Sequence, residues 1–174
     1  MAKSDSRGTE PASIHASAVL VGARAILIRG AAGSGKSRLA LALIEAAETG
    51  LLRFARLVAD DRTHVQAVHG RLLARPAETL AGLIEVRGLG VRRLPFEPLA
   101  VVGLVVDLGA GNSERLPRSS TASLAGVAVP RLAVAPAFDP LPMVLATLTT
   151  VAAEGSQEGR HDVHVNPIGA PDHI

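Results

Sequence analysis

The chain has no cysteine, no tryptophan and no tyrosine, and only three phenylalanines among its 174 residues. Without cysteine there are no disulfides and no thiolate metal sites, so the fold needs no oxidising compartment and a cytoplasmic location is expected. Aromatic content is 2% against 48% hydrophobic residues, so the core must be built from Ala, Val, Leu and Ile. That composition suits a Val/Leu-rich buried sheet packed by Ala/Leu helices. Long apolar runs are missing too. The longest are broken by Gly, Arg or Pro, and the opening "MAKSDSRGTEPAS" has no apolar signal region, so neither export nor membrane insertion is expected. Nor is there a charge excess: 18 basic and 16 acidic side chains leave +2, too balanced for capture of nucleic acid or an anionic membrane. Lysine itself is scarce, with only Lys3 and Lys36 beside sixteen arginines.

The length is that of one domain with a proper core. Residues 1–12 and 155–174 are polar and rich in Gly and Pro, and read as flexible ends around a domain at 13–154. Within it, Val/Ile/Leu-dense runs bounded by glycine predict buried strands: "HASAVLVG", "AILIRG", "RLVAD", "THVQAVHG", "GLIEVRG" and "LAVVGLVVDLG". Helical spacing of Leu39, Leu43 and Ala46 or Ala47, widened by Leu41 and Ile44, predicts a helix over 37–48. A second helix is expected over 141–153, entered through prolines at 136, 140 and 142.

Between the "AILIR" strand and the first helix lies Gly30-Ala31-Ala32-Gly33-Ser34-Gly35-Lys36-Ser37, which satisfies G-x-x-x-x-G-K-[ST] in the strand-loop-helix context of a phosphate-binding loop. Successive backbone N–H groups must converge on one anion, which demands glycines and small side chains. The helix adds its positive dipole end. Lys36 reaches the β- and γ-phosphates as a flexible point charge and Ser37 is placed to ligand Mg²⁺, so the loop calls for ATP and Mg²⁺. In a chain that otherwise uses arginine, a lysine here fits a demand for that shape.

Transfer also needs carboxylates. "RLVADD" ends an apolar strand in Asp60 and Asp61, at the sheet edge where ligands sit in open α/β sheets. One can bind Mg²⁺ or its water and the other can take a hydroxyl proton, provided the strand ends there, because strand neighbours point to opposite faces. Asp107, closing "LVVDLG", competes with Asp60 for the metal-side role, and periodicity does not choose between them. In "LIEVRGLGVRR", alternation places Glu85 and Arg87 on one strand face, as a metal- and phosphate-binding pair or as a surface ion pair. His15 and His69 lie in or beside strands, where a lone histidine is commonly structural.

The P-loop, "LVADD" and "IEVRGLG", in this order and with these gaps, resemble the catalytic domain of HPr kinase/phosphorylase over roughly residues 13–110. The resemblance implies a P-loop kinase core like that of phosphoenolpyruvate carboxykinase, a mixed α/β sheet with a P-loop helix, assembled as a hexamer. It implies phosphorylation of a serine of the phosphocarrier HPr by ATP, and removal of that phosphate by phosphorolysis. Gly30 to Ser37 would bind the triphosphate, Asp60 would exchange the seryl proton with Asp61 in support, and Glu85 would join Ser37 on the metal. His15 matches the family's histidine ahead of the loop, although the family motif reads His-Gly and this chain has His15-Ala16. The chain resembles the short form that lacks an N-terminal domain. The family's Pro-Gly-Arg-Asn-like segment has no counterpart, since "LAVAPAFDPLPMVLA" holds no basic residue. Two other functions fit the same loop: a nucleotide-sensing module without turnover, favoured by that missing arginine, and a small-molecule P-loop kinase, for which Arg87, Arg92 and Arg93 would have to serve as a lid.

Overall fold

Tight two-residue turns organise much of the chain into antiparallel hairpins. Strand β1 (Ala12–Ile14) leads into β2 (Ala16–Val21), which turns through Gly22, at positive φ, into β3 (Arg24–Arg29). Later β5 (Thr63–Val68) and β6 (Arg71–Pro76) are joined by His69-Gly70, both at positive φ, the backbone that matches the right-handed twist of paired strands. Ala125-Gly126 does the same between β10 (Ser120–Leu124) and β11 (Val127–Val134). The remaining strands are β4 (Ala55–Ala59), the separate hairpin of β7 (Leu83–Val86) with β8 (Gly90–Arg93), and the long β9 (Ala100–Leu108). These residues come from a computed structural model that describes residues 11–110 and 120–150.

The main sheet is mixed, as the resemblance implies. Its order is β1-β5-β6-β9-β3-β2-β4, with β10 and β11 joined on beside β9. Strand β9 runs parallel to β3 along one side, while its other side pairs with β6 near Ala100 and with β11 from Val105 to Leu108. All β3-β9-β11 pairs are parallel, so the carboxyl ends of three strands share one edge.

Two apolar layers close on the sheet's two faces. On one, helix α1 (Lys36–Glu48) buries Leu39, Ala40, Leu43 and Ala46 against Val19, Ile26, Ile28 and Val106, joined by Val144 of helix α2 (Pro140–Thr149). On the other, Ala18, Leu27, Val58 and Val105 pack with Val65 and Leu72 of the β5-β6 hairpin. Burying one such Leu, Ile or Val fully contributes about 1.5–3 kcal/mol, so small aliphatics suffice once both faces are covered. Helix α2 starts as its prolines require: Asp139 caps the Leu141 N–H, and Pro140 occupies a position whose own N–H has no helical partner.

Some boundaries differ from the sequence expectation. Pairing begins at Ala12, inside the segment expected to be a flexible end, because β1 adds to the edge of β5. Helix α2 stops at Thr149; residues 151–153, and the expected tail at 155–174, lie outside the described residues. Strands β6, β8, β10 and β11 were not expected. Arginines at 71, 75, 92, 93 and 131 interrupt the apolar patterns of β6, β8 and β11; β6, β10 and β11 are half-buried strands, and β8 is exposed throughout.

Candidate active site

The end of β3 meets the start of α1 through residues 30–35, so the P-loop sits at the shared carboxyl edge. Gly30 is needed there for space: a Cβ would lie 2.5 Å from Ser34 Oγ and 2.9 Å from the Leu108 carbonyl oxygen. Gly35, at φ 95°, turns the chain into the helix without any side-chain cap, so the first-turn N–H groups are not taken up by a capping residue. Lys36 is 6% exposed, and its Nζ donates to the carbonyls of Gly30 and Ala31 at 3.0 Å each, which lays the ammonium across the loop. Ser34 Oγ is buried with no hydrogen-bond partner among the described residues. An orphaned hydroxyl, uncapped helical amides and a small-residue cradle together suit an anion with several acceptor oxygens. Gly30→Ala is expected to displace the loop from β9, lowering stability by about 1–3 kcal/mol as an overpacked site does, and weakening nucleotide binding more than tenfold; a thermal melt and a nucleotide titration check the two effects.

Strand β4 does end where its double aspartate begins, and the two carboxylates part company. Asp60 is 3% exposed. Its Oδ1 accepts from Ser17 Oγ at 2.5 Å and from Ser37 Oγ at 2.9 Å, and its Oδ2 accepts from Ser37 Oγ at 3.0 Å and from the Glu85 N–H at 3.2 Å. It is thus locked against the P-loop serine. Asp61 takes positive φ (63°), which swings its side chain out to solvent, 69% exposed, where Oδ1 lies 3.1 Å from His15 Nε2. The pair borders an open cleft of about 380 Å³ with Ser13, Ile14 and Arg62. Ser17, which sequence reasoning did not single out, carried one signal, a hydroxyl inside an otherwise apolar strand that must find a partner once buried.

Glu85 comes to this site through its backbone, which anchors Asp60, while its side chain is exposed. Arg87 does not share its strand face: β7 ends at Val86, and Arg87 opens a turn closed by the Leu89 N–H on the Val86 carbonyl, with Gly88 and Gly90 at positive φ. His69 is a hairpin turn residue in the β5-β6 loop. Ser37 and Asp60 bring together hard oxygen donors of the kind Mg²⁺ prefers, so these two residues fit that ion, whereas Glu85 reaches Asp60 only through its N–H and keeps its carboxylate exposed.

Asp107 has other commitments. Arg29 grips it as a fork, Nε to Oδ1 at 2.7 Å and Nη2 to Oδ2 at 2.8 Å, and Arg131 Nε donates to Oδ2 at 2.5 Å. Burial alone would raise its carboxyl, but the hydrogen bonds and charges of the two arginines outweigh it and hold it below the usual carboxylate range. Asp107 therefore does not compete for the P-loop metal. A carboxylate depressed on folding contributes stability that is full above its unfolded value, about 3.9, and is lost as pH falls through the lower folded value. Asp107→Asn is expected to cost about 2 kcal/mol near neutral pH, less than a wholly buried pair because the arginines are partly exposed, and to flatten the loss of stability below about pH 4; urea melts from pH 2 to 7 measure both.

Comparison with known proteins converges on one family. The model of the HPr Serine kinase C-terminal domain matches residues 7–94. The HPr kinase/phosphorylase of Streptococcus thermophilus is 41% identical over 88 residues, covering 50% of this chain and 26% of that protein. That of Clostridium beijerinckii is 40% identical over 78 residues, covering 45% and 24%. The match thus spans about a quarter of the length of these relatives. The solved HPr(Ser) kinase/phosphatase from Coxiella burnetii superposes with a TM-score of 0.64 at 25% identity, covering 79% of this chain and 93% of that one.

Proposed function

Since the chain belongs to the HPr serine kinase C-terminal domain family, we propose that it transfers the γ-phosphoryl group of ATP, with Mg²⁺, to a serine hydroxyl of an HPr-type phosphocarrier protein. The observation that carries this reading is the convergence at one sheet edge of Lys36 and Ser37 with Asp60, and beside them the exposed Asp61-His15 pair. Residues 30–37 cradle the triphosphate, and Lys36 moves its ammonium from the loop carbonyls to the β- and γ-phosphates. Ser37, Asp60 and Glu85 would hold Mg²⁺, which when bound neutralises charge on the phosphates.

The resemblance implies that Asp60 exchanges the seryl proton with Asp61 in support; the contacts of the two side chains favour a different division. Asp60 is already engaged with two hydroxyls and an amide, so it orients Ser37 and completes the metal side. Asp61, open to the cleft and steadied by His15, takes the seryl proton as the phosphoryl group moves in line, and in the reverse direction returns it. Phosphorolysis of the seryl-phosphorylated carrier uses the same groups. The protein works as a cytoplasmic homo-oligomer, hexameric as the resemblance implies; among the described residues no helix is long and apolar enough to cross a membrane.

Incubation with γ-labelled ATP, Mg²⁺ and purified HPr tests the proposal: label on an HPr serine supports it, and no transfer to any phosphocarrier overturns it. One observation favours a second reading, a nucleotide sensor without turnover. The segment leading into α2, Ala135 to Asp139, brings no basic residue. Tight ATP binding with neither transfer nor hydrolysis would select that reading.

A further inference from the structure

The Arg29-Asp107-Arg131 cluster lies at the same edge as the P-loop but on the opposite face of the sheet from α1. In β3, Ile26 and Ile28 face the helix layer while Ala25 and Leu27 face the other, and Arg29 continues the second set. Arg131 is registered against Val105, yet its guanidinium reaches Asp107, two residues further toward the carboxyl edge. The three side chains therefore meet where the strands end. Arg29 with Asp107 is also the last registered pair of β3 with β9. The next residues in each chain are the first of the P-loop, Gly30, and Leu108, whose carbonyl leaves no room for a Cβ on Gly30.

Strand ends are where backbone pairing opens most readily. A two-point fork across the final pair, doubled by Arg131 from the third strand, removes that freedom at the root of the loop. We propose that Arg29, Asp107 and Arg131 form a clasp that positions the P-loop, fixing where Gly30 leaves the sheet and so holding residues 30–35 in their anion-binding curve. They are positioning residues: they act from the far face through the backbone of β3. The inference rests on the reading of this loop as a nucleotide site. The protein supplies its own control, because Arg56 and Glu97 make an ion pair of the same chemistry, Nη1 to Oε1 at 2.8 Å, that does not involve β3 or the loop.

Two measurements on the full chain test it. Titration with a fluorescent ATP analogue should give Asp107→Asn a Kd about tenfold above wild type and Arg29→Lys, which keeps the charge but loses the fork, about threefold, with Glu97→Gln within twofold. Amide exchange without nucleotide should quicken at residues 30–35 in the two clasp variants and stay unchanged in Glu97→Gln. If Asp107→Asn does not fold, Arg29→Lys decides. Wild-type affinity together with wild-type loop exchange in the clasp variants overturns the proposal, as does an equal change in Glu97→Gln. A wild-type chain that binds no nucleotide overturns the proposed function instead, and loop exchange still decides the clasp.

Discussion

Lys36→Ala is expected to lower kcat/KM for phosphoryl transfer by about a thousandfold, or ~4 kcal/mol of transition-state stabilisation. The reason is the combination of position and shape. Lys36 is the first residue of α1, it is almost wholly buried, and its stem already carries the ammonium back over the carbonyls of Gly30 and Ala31. No second cation stands in the loop, since residues 30–35 are Gly, Ala and Ser. Lys36→Arg should recover little, because a planar fork in that confined space cannot take up the same point position. Radiolabel transfer to HPr measures the rate and a nucleotide titration gives affinity. A variant within tenfold of wild type would remove the P-loop from the chemistry. The fold should survive either change, because the lysine's own bonds are two contacts to an exposed loop.

The P-loop and its flanking strand and helix were legible because they are local: the glycine spacing, the apolar run before it and the leucine stripe after it lie within twenty residues. The end of β4 at the double aspartate was legible for the same reason. What each aspartate does was not. That depends on Asp61 turning to positive φ, and on Ser17 and Glu85 arriving from strands far away in sequence to occupy Asp60. Asp107 shows the same limit. Ending a buried strand in Asp is common to both carboxylates, and only the register of β9 against β3 and β11 gives one of them two arginines. Three of the overlooked strands, β6, β8 and β11, carry arginines at positions that pattern reading takes for loops. Arg131 is held in β11 by its bond to Asp107, and Arg92 and Arg93 lie on the exposed strand β8, so neither strand needs an apolar run at those positions.

Asp61→Asn is expected to reduce kcat by about 10²–10⁴-fold, the contribution of a positioned general base, with nucleotide affinity unchanged. The amide fills the same space, and the side chain is exposed, so folding is not at stake; what is lost is the capacity to accept a proton beside His15. Asp60→Asn separates the two roles. An amide can accept through its one oxygen from Ser17 and Ser37, but its NH₂ cannot accept from the Glu85 N–H, so the neutral variant loosens Ser37 and withdraws a charge from the metal side. Its expected signature is a higher Mg²⁺ requirement, with activity partly restored at saturating metal, whereas added Mg²⁺ leaves Asp61→Asn as slow as before. Rates of HPr phosphorylation across a Mg²⁺ series distinguish the pair. If Asp60→Asn loses transfer at every Mg²⁺ concentration while Asp61→Asn keeps most of its rate, Asp60 is the proton acceptor, as the family resemblance implies. The two residues are neighbours in sequence, yet one is tied to the loop's serine and the other turned toward the cleft, and on the proposed mechanism that division would let one strand end serve both metal and proton.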